Sequence, residues 1–169
     1  MLCVATVFGQ DNFSNQTLRY DLKPDERYQA HELSFDAFEG VTLGESSAEQ
    51  SRSLHNARLG SGLGMNYFFH RNLGVEAEGF SENSQHSFVD TASGSLVFRV
   101  PVGGSGLAAY AFGGAGYQFD HASTSTLHTG AGIEYRFNSH VGLFLEPRVV
   151  FRTRISNYGF GRGGMRVIF

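Results

Sequence analysis

The chain has 169 residues, a length that suits one domain, and its formal net charge of −3 gives no basis for nucleic-acid binding. Charged residues make up only 17% of it, whereas glycine (22) and phenylalanine (16) are abundant, a balance that favours strands and turns over helices. No apolar run approaches the roughly 18 residues a membrane helix needs. A barrel strand needs no such run, because it mixes lipid-facing and lumen-facing residues, and a mean hydropathy of −0.20 is compatible with that.

In chain order, Met1–Gln10 (MLCVATVFGQ) has a short apolar run ending in small residues, the pattern expected at the tail of a secretory signal, though no basic region precedes it. Cys3, the single cysteine, lies there and permits no intrachain disulfide. Asp11–Ala30 is polar, contains Pro24 and shows no sustained period, so it is expected to be a lead-in or surface arm. Strands follow over 31–169. The first, about Glu32–Leu43, has Leu33, Phe35, Ala37, Val41 and Leu43 on one parity, interrupted by Glu39; a bulge near Phe38 or a Glu39 above the hydrocarbon would each account for it.

After a polar loop at 44–53, the second strand, about Leu54–Phe69, alternates most clearly, with Leu59, Leu63, Met65, Tyr67 and Phe69 against Asn56, Arg58, Gly62, Gly64 and Asn66. Strand three starts at Leu73 and sets Glu76 and Glu78 opposite Val75 and Ala77. Strand four, about Gly94–Val102, sets Arg99 opposite Leu96, Phe98 and Val100. Strand five, Leu107–Phe119, is apolar on both parities and leaves its facing open. Strand six, Leu127–Phe137, puts His128, Glu134 and Arg136 opposite Leu127, Ile133 and Tyr135. Aromatics gather at strand ends, Phe69, Phe137 and Phe169 at one and Phe80, Tyr117, Phe119 and Phe151 at the other, as two interfacial girdles would require.

The last two strands repeat the rule. Val141, Leu143, Leu145, Pro147, Val149 and Phe151 share one parity and Glu146, Arg148 and Arg152 the other; Met165, Val167 and Phe169 oppose Arg162, Arg166 and Ile168. The ending Gly164-x-x-Val167-x-Phe169 resembles the carboxy-terminal signal of bacterial outer-membrane barrels, and 31–169 resembles the small eight-stranded OmpA/OmpX-type family. The resemblance implies an all-β, antiparallel up-and-down transmembrane barrel in the bacterial outer membrane. It also implies a monomer in contact with outer-membrane lipid and lipopolysaccharide, and recognition of Gly164, Val167 and Phe169 by the barrel-assembly machinery.

In such a barrel the interior is just wide enough for side chains to fill it. The parity places Arg58, Arg99, Arg136, Arg148, Arg152, Arg162 and Arg166 inside with Glu32, Asp36, Glu76, Glu78, Glu134 and Glu146. Charges packed there must pair, which predicts a structural ion-pair network; a narrow ion or proton conduit is the alternative. A lipid A deacylase would carry a His-x-Ser pair on its outer surface. His121-Ala122-Ser123 is a weak candidate, and near Ile155-Ser156 the histidine position holds Arg154, a guanidinium that is no general base. His55, His86 and His128 form no metal-ligand spacing, and no cofactor is expected. A lipocalin-like barrel binding a hydrophobic ligand would alternate equally well with its faces exchanged. Against it stands the polar parity, built of Arg, Glu and Gly, in a chain whose one lysine is Lys23.

Overall fold

The computed structural model describes residues 25–43, 58–81, 89–119, 123–153 and 156–169. Eight strands run β1 (Glu32–Leu43), β2 (Arg58–His70), β3 (Leu73–Ser81), β4 (Thr91–Val102), β5 (Leu107–Gln118), β6 (Thr124–Arg136), β7 (Val141–Arg152) and β8 (Tyr158–Ile168). Each pairs antiparallel with the next, and β1 pairs with β8, so the sheet closes on itself and leaves no open edge. The connections β2–β3, β4–β5 and β6–β7 form the turn end, and the other end carries the loops. Local chemistry fixes the turns. Gly103 and Gly106 take positive φ between β4 and β5, and the Asn138 side-chain oxygen accepts from the His140 and Val141 amides at 2.8 and 2.9 Å before β7.

The alternation decides which face is inside. Leu59, Leu96 and Leu127 are 76, 61 and 62% exposed on the outer wall, while Arg99, Arg136, Glu134 and Glu146 are 0% exposed. This inverts a water-soluble protein, so the apolar parity meets lipid and the lipocalin-like arrangement is overturned. Strand five, ambiguous in sequence, turns Ala108, Tyr110 and Phe112 inward.

Several expectations are corrected. Strands β4 and β6 begin at Thr91 and Thr124, earlier than Gly94 and Leu127, because polar residues at the loop end still pair, Thr91 with Gln118 and Gln118 with Thr124. The register of β1 is unbroken at Phe38, which faces Gly62 and Gly164, so there is no bulge and Glu39 points outward. Phe80 is not in the outer girdle. Sharing the parity of Glu76 and Glu78, it faces the lumen and packs edge-on against Phe160 at 4.8 Å. Phe69, Phe137 and Phe169 at the turn end and Tyr117, Phe119 and Phe151 at the loop end are exposed.

Within the stretch expected as a lead-in, Asp25–Ala30 folds against the turn end. Tyr28 inserts into the lumen, its hydroxyl donating to the Gly106 carbonyl at 2.7 Å, and Arg27 donates to the Gly104 carbonyl at 2.5 Å. Burial opposes ionisation of Asp25, but bonds from the Arg27 guanidinium and the Gly106 amide hold its carboxyl below its ordinary range. Gly106 sits at φ 78°, where an added Cβ would lie 2.6 Å from the Arg136 carbonyl oxygen and 2.8 Å from the Arg27 guanidinium carbon, so both the turn and the close seat of Arg27 favour glycine. The proposed signal remnant at 1–10 with Cys3, the rest of the lead-in, the loop at 44–53, the start of the second strand, and His55, His86, His121 and Arg154 lie outside the described residues.

Candidate functional site

The lumen is the chemically dense part of the barrel, and its charges fall into two layers along the strands. In the layer nearer the turns, Arg99 donates to Glu32 at 3.0 Å and Arg136 holds Glu32 with both terminal nitrogens. Glu134 accepts from Arg136 at 2.5 Å and from Arg166 at 2.7 Å. Arg166 grips Asp36 through two bonds of 2.7 Å, and Asn66 donates to the same carboxylate at 2.9 Å. This planar, two-point geometry suits arginine and would not survive a change to lysine. Below it, the Arg99 guanidinium lies 3.7 Å from the Phe68 ring centroid and Arg136 lies 4.2 Å from that of Tyr28.

The layer nearer the loops centres on Arg162, which donates to Glu76, Glu78 and Glu146. Arg148 joins Glu78 and Glu146, Ser93 donates to Glu78 at 2.7 Å, and the Tyr110 hydroxyl donates to Glu146 at 3.1 Å. Phe144 ties the layers together, with Arg162 at 5.3 Å and Arg166 at 5.2 Å from its ring centroid. Above lies an aromatic cap of Phe38, Phe80 and Phe160 with Val150. Arg guanidiniums, carboxylates and rings thus fill the cross-section, and each desolvated ion has a counter-charge in contact.

Of the charges expected inside, Glu32, Asp36, Glu76, Glu78, Arg99, Glu134, Arg136, Glu146, Arg148, Arg162 and Arg166 come together in the lumen. Arg58 does not. It has the inward parity but is the first residue of β2, at the loop rim, where it is exposed and outside the buried layers. Arg152, also at the rim, folds back to donate to the Ser156 carbonyl at 2.8 Å. Sequence reasoning places Asn66 on the inward parity but does not pick out the neutral partners Tyr28, Ser93 and Tyr110; a polar side chain on the parity of Arg99 is the signal for Ser93, whereas β5 carries no charge to mark Tyr110. A Ser95–His128 contact of 2.7 Å joins β4 and β6 inside the lumen. No carboxylate hydrogen-bonds that imidazole among the described residues, so the pair lacks the third member of a hydrolytic triad.

Gly164, Val167 and Phe169, the residues expected to carry an assembly signal, lie at the β1–β8 seam. Val167 and Phe169 face outward, Phe169 meeting Phe35 edge-on at 5.9 Å and donating its amide to Leu33 at 2.8 Å. Gly164 faces inward opposite Phe38.

Glu134 links Arg136 and Arg166, so Glu134→Ala leaves two buried guanidiniums short of a partner. The variant is expected to lose about 3 kcal/mol, within the range for breaking a buried pair, read as a lower urea midpoint for the folded gel band. An unchanged midpoint would contradict its place in the lattice.

No protein-family model matches the chain, and a search of curated proteins finds no match. Solved structures do match. The N-terminal β-barrel domain of Pseudomonas aeruginosa OprF superposes with a TM-score of 0.61 at 15% identity, covering 83% of this chain and 99% of that one. A structure from the de novo design of transmembrane β-barrels gives 0.56 at 18% identity, covering 83% and 98%. Ail, the attachment invasion locus protein of Yersinia pestis, gives 0.53 at 17% identity, covering 83% and 99%. The likeness lies in the fold, that of small eight-stranded outer-membrane barrels.

Proposed function

We propose that this chain, having the fold of small outer-membrane barrels, is a non-enzymatic bacterial outer-membrane protein that does not conduct and works through its outer surfaces. It would support the envelope and present its loop end for adhesion or lipid contact. The observation that carries this reading is the filled lumen. Both ion-pair layers and the aromatic cap lie across the path an ion would take, and each guanidinium in the layers is held by at least one carboxylate. Opening that path would separate buried charges at a cost of several kcal/mol per ion. With the interior committed to packing, interaction falls to the loops and the lipid-facing wall. Attachment, which the name of Ail describes for that protein, is a role this architecture accommodates. The barrel-assembly machinery and lipopolysaccharide are its expected contacts.

The test is electrical. Protein refolded into a planar lipid bilayer is expected to give no steady current under applied voltage. A stable ohmic conductance from the unaltered chain would overturn the reading in favour of an ion conduit through the same residues.

A further inference from the structure

Among the described strand residues, Glu39 alone puts a charge on the outward parity. Phe35 and Ala37 lie on one side of it along β1, and Val41 and Leu43 on the other, so it stands within the apolar wall, towards the loop end. Its cross-strand neighbours are Ser61 on β2 and Gly163 on β8, and among the described residues no hydrogen bond or ion pair reaches its carboxylate. An ionisable group at membrane depth is costly, and one that persists there points to a partner.

The wall around Glu39 is hollowed. A groove of about 710 Å³ runs over β8, β1, β2 and β3, bounded by Ala37, Leu63, Gly79, Gly163 and the overhanging Val89, with Ser61 and Glu39 inside it. Packing within the barrel does not demand its glycines. A Cβ on Gly79 would meet only Val89 side-chain carbons at 3.4 Å or more, and one on Gly163 would come no closer than 3.4 Å to Leu145 or the Phe144 carbonyl. Inward Gly62 differs, since a Cβ there would lie 2.3 Å from the Phe38 ring. Glycine weakens a strand, and close approach by a ligand is one physical reason for a strand to carry it.

We infer that this groove is a lipid-binding site that takes one acyl chain and offers the Glu39 carboxylate and Ser61 hydroxyl to hydrogen-bond donors at the top of that chain. The loop end of such a barrel faces outward, so the groove opens to the outer leaflet. Val41 and Leu43 separate Glu39 from the loop rim and hence from headgroup charge. The donors at its depth are therefore the amide N–H and hydroxyl groups of an amide-linked, hydroxylated acyl chain, and the occupant is a glycolipid built on such chains. A second copy of this chain fits poorly, because the described strands would bring another Glu39 and no outward cation. The inference rests on the membrane-embedded reading above.

The experiment compares retained lipid after folding into phosphatidylglycerol vesicles doped with lipid A, followed by extraction into micelles and native mass spectrometry. The unaltered chain should retain lipid A at least tenfold over phosphatidylglycerol, and Glu39→Leu should bring the two to parity. Glu39→Leu removes a charge from the lipid face and is expected to insert normally. Gly79→Leu with Gly163→Leu fills the groove and should act as Glu39→Leu does. Normal insertion with equal lipid A retention by the unaltered chain and Glu39→Leu overturns the groove alone, as does recovery of a protein-bound form in its place. Failure to insert in any vesicle overturns the membrane reading and the groove with it.

Discussion

Arg162→Met is expected to cost about 3–5 kcal/mol, enough to abolish the folded band at urea concentrations the unaltered barrel tolerates. The reason is the company Arg162 keeps. It is fully buried, and it touches Glu76 and Glu146, which are buried as well, and Glu78, whose side chain is 7% exposed. Methionine approximates the volume but removes the charge that three carboxylates share. Arg148 then faces Glu78 and Glu146 alone, and Glu76 loses its one ion-pair partner in the lattice. Adding Glu76→Gln to Arg162→Met should recover part of the loss, because the second change removes a charge the first left uncompensated. Coupled sites of this kind do not add. Urea titration of refolding into vesicles, followed by circular dichroism and gel mobility, measures both; the chain has no tryptophan to report fluorescence. Equal stability of Arg162→Met and the unaltered chain would contradict the lattice.

Gly164→Val is expected to prevent closure. A Cβ there would lie 2.2 Å from the Ala37 carbonyl oxygen and 2.8 Å from the Phe38 Cα, backbone atoms of the strand that seals the barrel. Backbone cannot swing aside as a side chain does, so the overpacking penalty should reach about 3 kcal/mol or more and fall on the β1–β8 seam. Gly163→Ala, one residue earlier and on the other face, meets Leu145 at an ordinary 3.4 Å and serves as the control that keeps its fold. The pair also separates two roles in the carboxy-terminal motif. Gly164→Val should fail both in cells and in purified refolding. Val167→Asp and Phe169→Asp lie on the outer wall, and on the signal reading their main loss is expected in cells, where assembly machinery would recognise the motif. Normal assembly of both in cells would contradict the signal reading, and equal loss of both in purified refolding would make them structural instead.

How much of this was legible beforehand depended on contrast between the two parities. Strands β2, β7 and β8 place leucine, methionine and valine opposite asparagine, glutamate and arginine, so their facing follows directly from alternation. Strand β5 lacks contrast because its inward set, Ala108, Tyr110 and Phe112, is apolar too; what fixes it is the Tyr110 hydroxyl reaching Glu146 on β7, a contact no local pattern encodes. Arg58 was misplaced because parity says which way a side chain points and not how deep along the barrel it sits. Phe80 was misread for a related reason. An aromatic near a strand end suggests a girdle, but its parity with Glu76 and Glu78 sends it to the lumen. Tyr28 was invisible, since Asp25–Ala30 has no period and its role depends on a turn formed by residues 103–106. The lattice charges, by contrast, share the polar parity of their strands one by one, and only their pairing requires the closed sheet.

The central claim is a closed barrel whose apolar wall needs an amphiphile. Gel mobility before and after boiling, on protein refolded with and without detergent micelles or lipid vesicles, tests it most directly. The predicted result is a heat-modifiable band that forms only when amphiphile is present. A chain that folds to a stable, monomeric state in plain buffer, with no such band, would contradict it, because an outer wall bearing Leu59, Leu63, Leu96 and Leu127 could not then be facing water.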